Sequence, residues 1–110
     1  MEINIQKEEK ALIVSVSGRM DAVTAPEFER ELVDCMNEGE ANFIIDLGQL
    51  DYISSAGLRS MLITAKRLKA MDGQILLSSL RDTVKEIFEI SGFSSIIPTY
   101  ESVENALSQI

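Results

Sequence analysis

Two adjacent serines, Ser54 and Ser55, stand immediately before Ala56 and Gly57 at the start of a predicted helix. Serine is a preferred N-cap residue, so capping alone accounts for a hydroxyl group at this position. Gly57 is less easily explained, because glycine inside a helix costs about 1 kcal/mol relative to alanine. Its presence indicates that another backbone or a ligand approaches closely there, or that it eases packing against a neighbour.

The rest of the chain offers these hydroxyl groups no catalytic partner. Among the 110 residues there is no histidine and there is one cysteine, Cys35. The missing imidazole excludes Ser-His and Cys-His mechanisms and histidine metal sites, and a lone cysteine forms neither an internal disulfide nor a zinc cluster. Paired carboxylates and a glycine-rich phosphate loop are also absent. The sequence predicts a protein that is not an enzyme and needs no metal or cofactor.

Charge limits the class of partner. The chain has 18 acidic and 10 basic residues, a formal net charge of −8, which argues against nucleic acid as the main partner. A carboxylate cluster lies in the first half and is predicted to be a solvated helix face that could steer a basic partner; it comprises Glu27, Glu29, Glu31, Asp34, Glu38 and Glu40. No signal peptide or membrane-length apolar run is visible, and the single cysteine fits a reducing compartment, so we expect a cytoplasmic protein without a membrane span.

The elements that position the serines follow from hydrophobic periodicity. A hairpin of two short strands opens the chain, with the second strand ending at Gly18. A helix is predicted from Thr24, where Thr24-x-x-Glu27 fits a capping box, and Gly39 is expected to end it. The apolar run 43–47 is typical of a strand buried on both faces, and a loop from Asp46 is expected to lead into the serine helix.

The second half alternates in the same way. The serine helix is predicted to end at Gly73, and a buried strand follows at 75–77. Another helix is predicted around Phe88, a short strand at Ile96-Ile97, and a last helix near the C-terminus. The predicted order is β-β-α-β-α-β-α-β-α within one domain, 1–110. This is an α/β fold with a small, mostly parallel sheet, an antiparallel edge hairpin and about four helices packed on it.

Several segments resemble one known family. The stretch 50–58, Leu-Asp-Tyr-Ile-Ser-Ser-Ala-Gly-Leu, resembles the signature of STAS domains of the bacterial anti-sigma factor antagonist type. The family resemblance extends to Gly18-Arg19-Met20-Asp21 before the Thr24 helix, to 88–93 and to 102–107. It implies a small sheet with helices against one face.

The resemblance also implies a function. That function is a protein-binding switch. The unphosphorylated antagonist binds an anti-sigma factor that is often also a serine kinase, and this binding frees the sigma factor. The kinase then phosphorylates one serine of the antagonist, which dissociates, and a serine phosphatase resets it. The family phosphoacceptor stands two residues before the motif glycine, which is Ser55 here. Ser54 replaces a frequent aspartate and is a rival acceptor, while Ala56 replaces a frequent serine or threonine.

Further site residues follow from the same resemblance. Asp21 matches the aspartate that the family places near the phosphorylation site, although a loop aspartate also binds its own backbone. The predicted partner-binding residues are Asp21, Thr24, Ser54, Ala56, Gly57, Leu58 and Arg59. Arg59 is four residues after Ser55 and could reach a phosphate on it, or could be a solvated helix residue. Two alternatives are a STAS subunit of a membrane lipid-transport complex and a nucleotide-binding protein using the segment 46–57.

Overall fold

Apolar alternation and helical periodicity yield five strands and four α-helices in the computed structural model, which describes all 110 residues. The strands are β1 (Glu2–Lys7), β2 (Leu12–Met20), β3 (Asn42–Ile53), β4 (Gln74–Ser78) and β5 (Thr99–Tyr100). The helices are α1 (Ala25–Asn37), α2 (Ser55–Ala70), α3 (Asp82–Ile90) and α4 (Val103–Leu107), with a single 3-10 turn at Phe93–Ser95. The predicted order of elements is confirmed.

The strands lie side by side in chain order, β1-β2-β3-β4-β5. The β1–β2 pair is antiparallel and the three remaining pairs are parallel, as predicted. Phe43, Ile44 and Ile45 near the start of β3 have no exposed surface, because both faces of the sheet are covered at this point. The apolar run in the sequence reflects this two-sided burial.

The helices occupy both faces of the sheet. Side chains of α1, α2 and α3, among them Phe28, Met61 and Phe88, share one core with alternate residues of the strands. The α4 residue Ala106 packs on the other face, against Ile44 and Leu76. The expectation of helices against one face is therefore wrong for α4, which covers apolar residues that the other three helices cannot reach. Cys35 packs against the main core and is partly buried.

Two strands run further than predicted. β2 continues past Gly18, whose φ of +87° accommodates an irregularity, to Met20. β3 continues to Ile53, so the loop predicted from Asp46 is absent and Ser54 alone separates β3 from α2. Register shifts between β2 and β3 interrupt the alternation of apolar and polar residues. For this reason the sequence after Asp46 resembles a loop. The nucleotide-binding alternative depended on this loop.

The last predicted strand is displaced. Ile96 and Ile97 do not form a strand, because their N–H groups bond to the Phe93 carbonyl in the 3-10 turn. The strand pairing with β4 begins after Pro98, at Thr99. This turn places the Ile97 side chain in the core. The residue is therefore buried although it does not lie in a strand.

Gly73, which follows α2, lies very close to Ala41, which precedes β3. A Cβ atom at this position would collide with the carbonyl oxygen of Ala41, which accepts a hydrogen bond from Gln74. We expect Gly73→Ala to lower the free energy of unfolding by about 1–3 kcal/mol, measured by urea denaturation. Gly39→Ala is the control, because its Cβ meets no atom within 4 Å and adds only positive-φ strain. A loss for Gly73→Ala of less than about 1 kcal/mol relative to the wild type would contradict this packing.

Candidate functional site

The two serines have different surroundings. Ser54 is the N-cap of α2, and its hydroxyl accepts a hydrogen bond of 3.2 Å from the N–H of Gly57. Ser55 is the first residue of the helix and is exposed to solvent. The hydroxyl of Ser54 therefore caps the helix, whereas Ser55 faces solvent. The prediction that α2 begins at Ser54 or Ser55 is confirmed.

The start of α2 is held against the end of β2. The N–H of Ser54 donates to the carbonyl oxygen of Met20 at 2.9 Å. A Cβ at Gly57 would lie 2.9 Å from the same oxygen and 2.7 Å from the side chain of Ile53. Only glycine fits this contact without displacing backbone atoms, so the predicted close approach of another backbone is confirmed.

Asp21 follows Met20 directly and therefore lies in the loop beside this junction. Its carboxylate accepts hydrogen bonds from the N–H groups of Val23 (3.0 Å) and Thr24 (3.1 Å). These backbone bonds, to Thr24 first, hold the pKa of Asp21 below its ordinary value, with a smaller contribution from the charge of Arg19. The structure thus shows the carboxylate binding its own backbone and fixing the loop.

Thr24 does not form the predicted capping box. Its hydroxyl donates to the carbonyl of Arg19 at 2.9 Å and accepts from the N–H of Asp21 at 2.9 Å, and it makes no cap bond to α1. The hydroxyl is turned back into the loop because that is where the unpaired backbone groups of residues 19 and 21 lie. Thr24 is still the residue before the helix, and Pro26 occupies the first turn.

A cation–aromatic pair next to the site was not predicted from the sequence. The guanidinium of Arg19 lies 4.2 Å from the centre of the Tyr52 ring. The two residues are register partners at the ends of β2 and β3. Only the parallel pairing of these strands brings them together, so no local pattern could have indicated the contact. The ring restricts the exposed guanidinium near the loop of Asp21.

The remaining predicted residues surround Ser55 along the first turns of α2. Gly57 is buried, Ala56 and Leu58 are half-buried, and Leu58 packs against the main core. Arg59 is exposed and forms no ion pair with a carboxylate of the chain, since the sole ion pair joins Lys7 and Glu40. The first turn of α2 carries no acidic residue. Added negative charge near Ser55 would therefore face the positive end of the helix dipole.

Comparison with known proteins now identifies the family. A family model for the STAS domain matches residues 2–106. The chain belongs to the STAS domain family. BtrV of Bordetella bronchiseptica, a candidate anti-sigma factor antagonist, is 42% identical over 106 residues, which cover 96% of this chain and 91% of BtrV. The anti-sigma-B factor antagonist of Staphylococcus aureus is 28% identical, with 94% of this chain and 98% of that protein covered.

Solved structures share the fold of this STAS domain. The crystal structure of a candidate anti-sigma factor antagonist from Thermotoga maritima superposes with a TM-score of 0.93. The match covers 98% of this chain and 93% of that chain at 16% identity. None of the helices described above has the length and apolar character needed to cross a membrane.

The unequal surroundings of the two serines predict unequal effects on stability. We expect Ser54→Ala to lower the free energy of unfolding of this STAS domain by about 1 kcal/mol, because it removes the cap bond to Gly57. Ser55→Ala, the matched control, should leave it within about 0.5 kcal/mol, because the side chain is exposed. Urea denaturation of both variants measures the difference. Equal losses in the two variants would show that Ser54 does not act as the cap.

Asp21 predicts a dependence of stability on pH. Its pKa is lower in the folded state, so its interactions stabilise the fold above the unfolded-state pKa and are lost as pH falls through the folded value. Asp21→Asn keeps an oxygen acceptor and removes the titration. We expect the variant to melt near the wild-type temperature at neutral pH and to lose less stability on acidification below about pH 4. Parallel wild-type and variant acid profiles would contradict this role.

Proposed function

We propose that this STAS domain is an anti-sigma factor antagonist that is switched off by phosphorylation of Ser55. The observation that carries the proposal is the exposure of Ser55 at the first position of α2, while the neighbouring Ser54 hydroxyl caps the helix. The relatives support the class of partner, because BtrV and the Staphylococcus aureus protein carry anti-sigma factor antagonist names. The protein acts by binding, and its chemistry is performed on it by other proteins.

The proposed partner is an anti-sigma factor with serine kinase activity, and a serine phosphatase reverses the modification in the cytoplasm. The binding surface comprises the Asp21 loop with Thr24 and the start of α2, from Ser54 and Ala56 to Arg59. Asp21 fixes this loop by its backbone bonds, so the surface has one shape before the partner arrives. Gly57 and Leu58 contribute by seating α2 on the core.

Phosphorylation changes the charge of this surface without breaking the fold. A phosphate on Ser55 adds about −1.5 to −2 charges and three acceptor oxygens. The helix N-terminus tolerates this group, and Arg59, one turn further along, is able to pair with it. A partner site shaped around a neutral hydroxyl would meet an unmatched, strongly hydrated anion. Such a mismatch at an interface costs several kcal/mol, enough to release the partner.

Phosphopeptide mapping after incubation with the candidate kinase and ATP tests the acceptor. We expect the phosphate on Ser55 in the wild type and no efficient phosphorylation of Ser55→Ala. Ser54→Ala is the control and should still be phosphorylated on Ser55 if the assay is run well below its melting temperature. Asp21→Asn should be phosphorylated more slowly, or bound more weakly, while remaining folded. A phosphate on Ser54 of the wild type would refute the assignment.

Ser55→Asp tests the charge mechanism. The variant places a single negative charge at the helix start, so we expect its melting temperature to stay close to that of the wild type. Its affinity for the anti-sigma factor, measured by titration calorimetry, should fall at least tenfold, which is about 1.4 kcal/mol. Ser55→Asn has a similar size without the charge and should bind more tightly than Ser55→Asp. Equal binding of the two variants would mean that charge does not drive release.

A further inference from the structure

The second half of α2 has a charge opposite to that of the protein as a whole. The helix, Ser55–Ala70, contains four cations and no carboxylate, although the chain has 18 acidic residues. Lys66, Arg67 and Lys69 are all exposed near its C-terminus. The helix dipole favours cations at this end, but it does not explain the apolar residues exposed among them.

Three large apolar side chains are exposed near the C-terminal half of α2: Ile63 lies within the helix, Met71 is its C-cap, and Ile96 lines a trough together with Lys66 and Lys69. Ile63 is 40% exposed, Met71 45% and Ile96 58%. Ile96 precedes Ile97, which is 1% exposed, so the core uses one isoleucine and leaves the other in solvent. An open, largely apolar trough of about 300 Å³ lies between α2 and the segment 96–98, with Lys66 and Lys69 among its lining residues. We call this surface the basic-apolar patch; its residues are Leu62, Ile63, Lys66, Arg67, Lys69, Met71 and Ile96.

The patch is separate from the Ser55 surface and from the acidic helix α1. Ser55 begins α2 and Lys69 lies at its other end, about 20 Å away along a helix of this length. α1 packs along a different side of α2, where Glu29 accepts a hydrogen bond from Ser60. The cations of the patch take part in no ion pair, because the sole pair of the chain joins Lys7 and Glu40. Their charge is available to an external anion.

We propose that the basic-apolar patch docks this protein onto the surface of an anionic lipid bilayer. Charge complementarity selects anionic headgroups, and the exposed isoleucines and methionine enter the boundary between headgroups and acyl chains. The net charge of −8 opposes this contact, but at physiological ionic strength each carboxylate acts only over about 8 Å; α2 carries none, and Asp72, after Met71, is the carboxylate next to the patch in the sequence. Nucleic acid would neutralise the lysines but would leave the apolar residues unused.

The docking site is independent of the proposed function, since it uses neither Ser55 nor the Asp21 loop. Peripheral docking requires no membrane-spanning helix. It would place the start of α2 away from the bilayer, so an antagonist held there would still present its acceptor serine. The inference stands or fails on vesicle binding, whatever the outcome of the phosphorylation experiments.

Vesicle co-sedimentation of the full chain tests the docking. We expect binding to vesicles of equal parts phosphatidylcholine and phosphatidylglycerol, weak binding to phosphatidylcholine alone, and release by high salt. Lys66→Gln with Lys69→Gln should weaken partitioning about fivefold for each lysine. The control, Arg30→Gln with Lys85→Gln, removes the same charge from exposed positions outside the patch and should bind as wild type. Circular dichroism confirms that each variant is folded.

The apolar part of the site has its own variant. Ile96→Ser should weaken binding to the same anionic vesicles severalfold, whereas Val23→Ser, a change at an exposed valine in the Asp21 loop, should not. Failure of the wild type to bind anionic vesicles would overturn the proposal. Equal losses in the lysine variant and its control would also overturn it. Competition by polyglutamate without any effect of Ile96→Ser would instead indicate an acidic protein as the partner of the patch.

Discussion

The contact between the carbonyl of Met20 and the start of α2 is the constraint on which the site depends. That oxygen accepts the N–H of Ser54 and leaves no room for a side chain at position 57. It joins the end of β2 to the end of β3 and to the first turn of the helix. As a consequence, the loop that follows Met20 and the exposed Ser55 that follows Ser54 lie at one edge of the sheet. Glycine at this place is required by geometry, because a Cβ atom would collide with this oxygen and with Ile53.

The sequence predicted those parts of the fold that depend on burial. The apolar run of β3, the alternating residues of the edge hairpin and the apolar stripes of the helices are all buried. Hydrophobic periodicity depends directly on burial, so these elements could be predicted. The errors fall where backbone irregularity decides. Register shifts beside Gly18 extend β2 and β3 beyond their simple alternation, and a 3-10 turn buries Ile97 without a strand. The hydroxyl of Thr24 has two possible sets of backbone partners, the first N–H groups of α1 and the backbone groups of residues 19 and 21. The local sequence does not show which set is bound.

The family resemblance and the structure contribute different parts of the description of the candidate site. The resemblance pointed to Ser55, and the structure adds a physical distinction between it and Ser54, because one hydroxyl caps the helix and the other is exposed. The contact between Arg19 and Tyr52 joins residues 33 positions apart and could not be found without the strand pairing. Asp21 has a structural role, because its carboxylate binds the backbone of its own loop and fixes the shape of that loop.

The order of the strands has a consequence for how the protein is made. Every strand lies next to the strand that precedes it in the chain, so no strand is inserted between two that have already paired. Each new β-α unit leaving the ribosome therefore finds its sheet neighbour already synthesised. The stretch of chain between paired parallel strands contains only one α-helix and its connecting loops. The sheet is able to grow from one edge during translation. The start of α2 contacts Met20 and Ile53, which precede it in the chain, so the position of Ser55 depends on strands that are made before it.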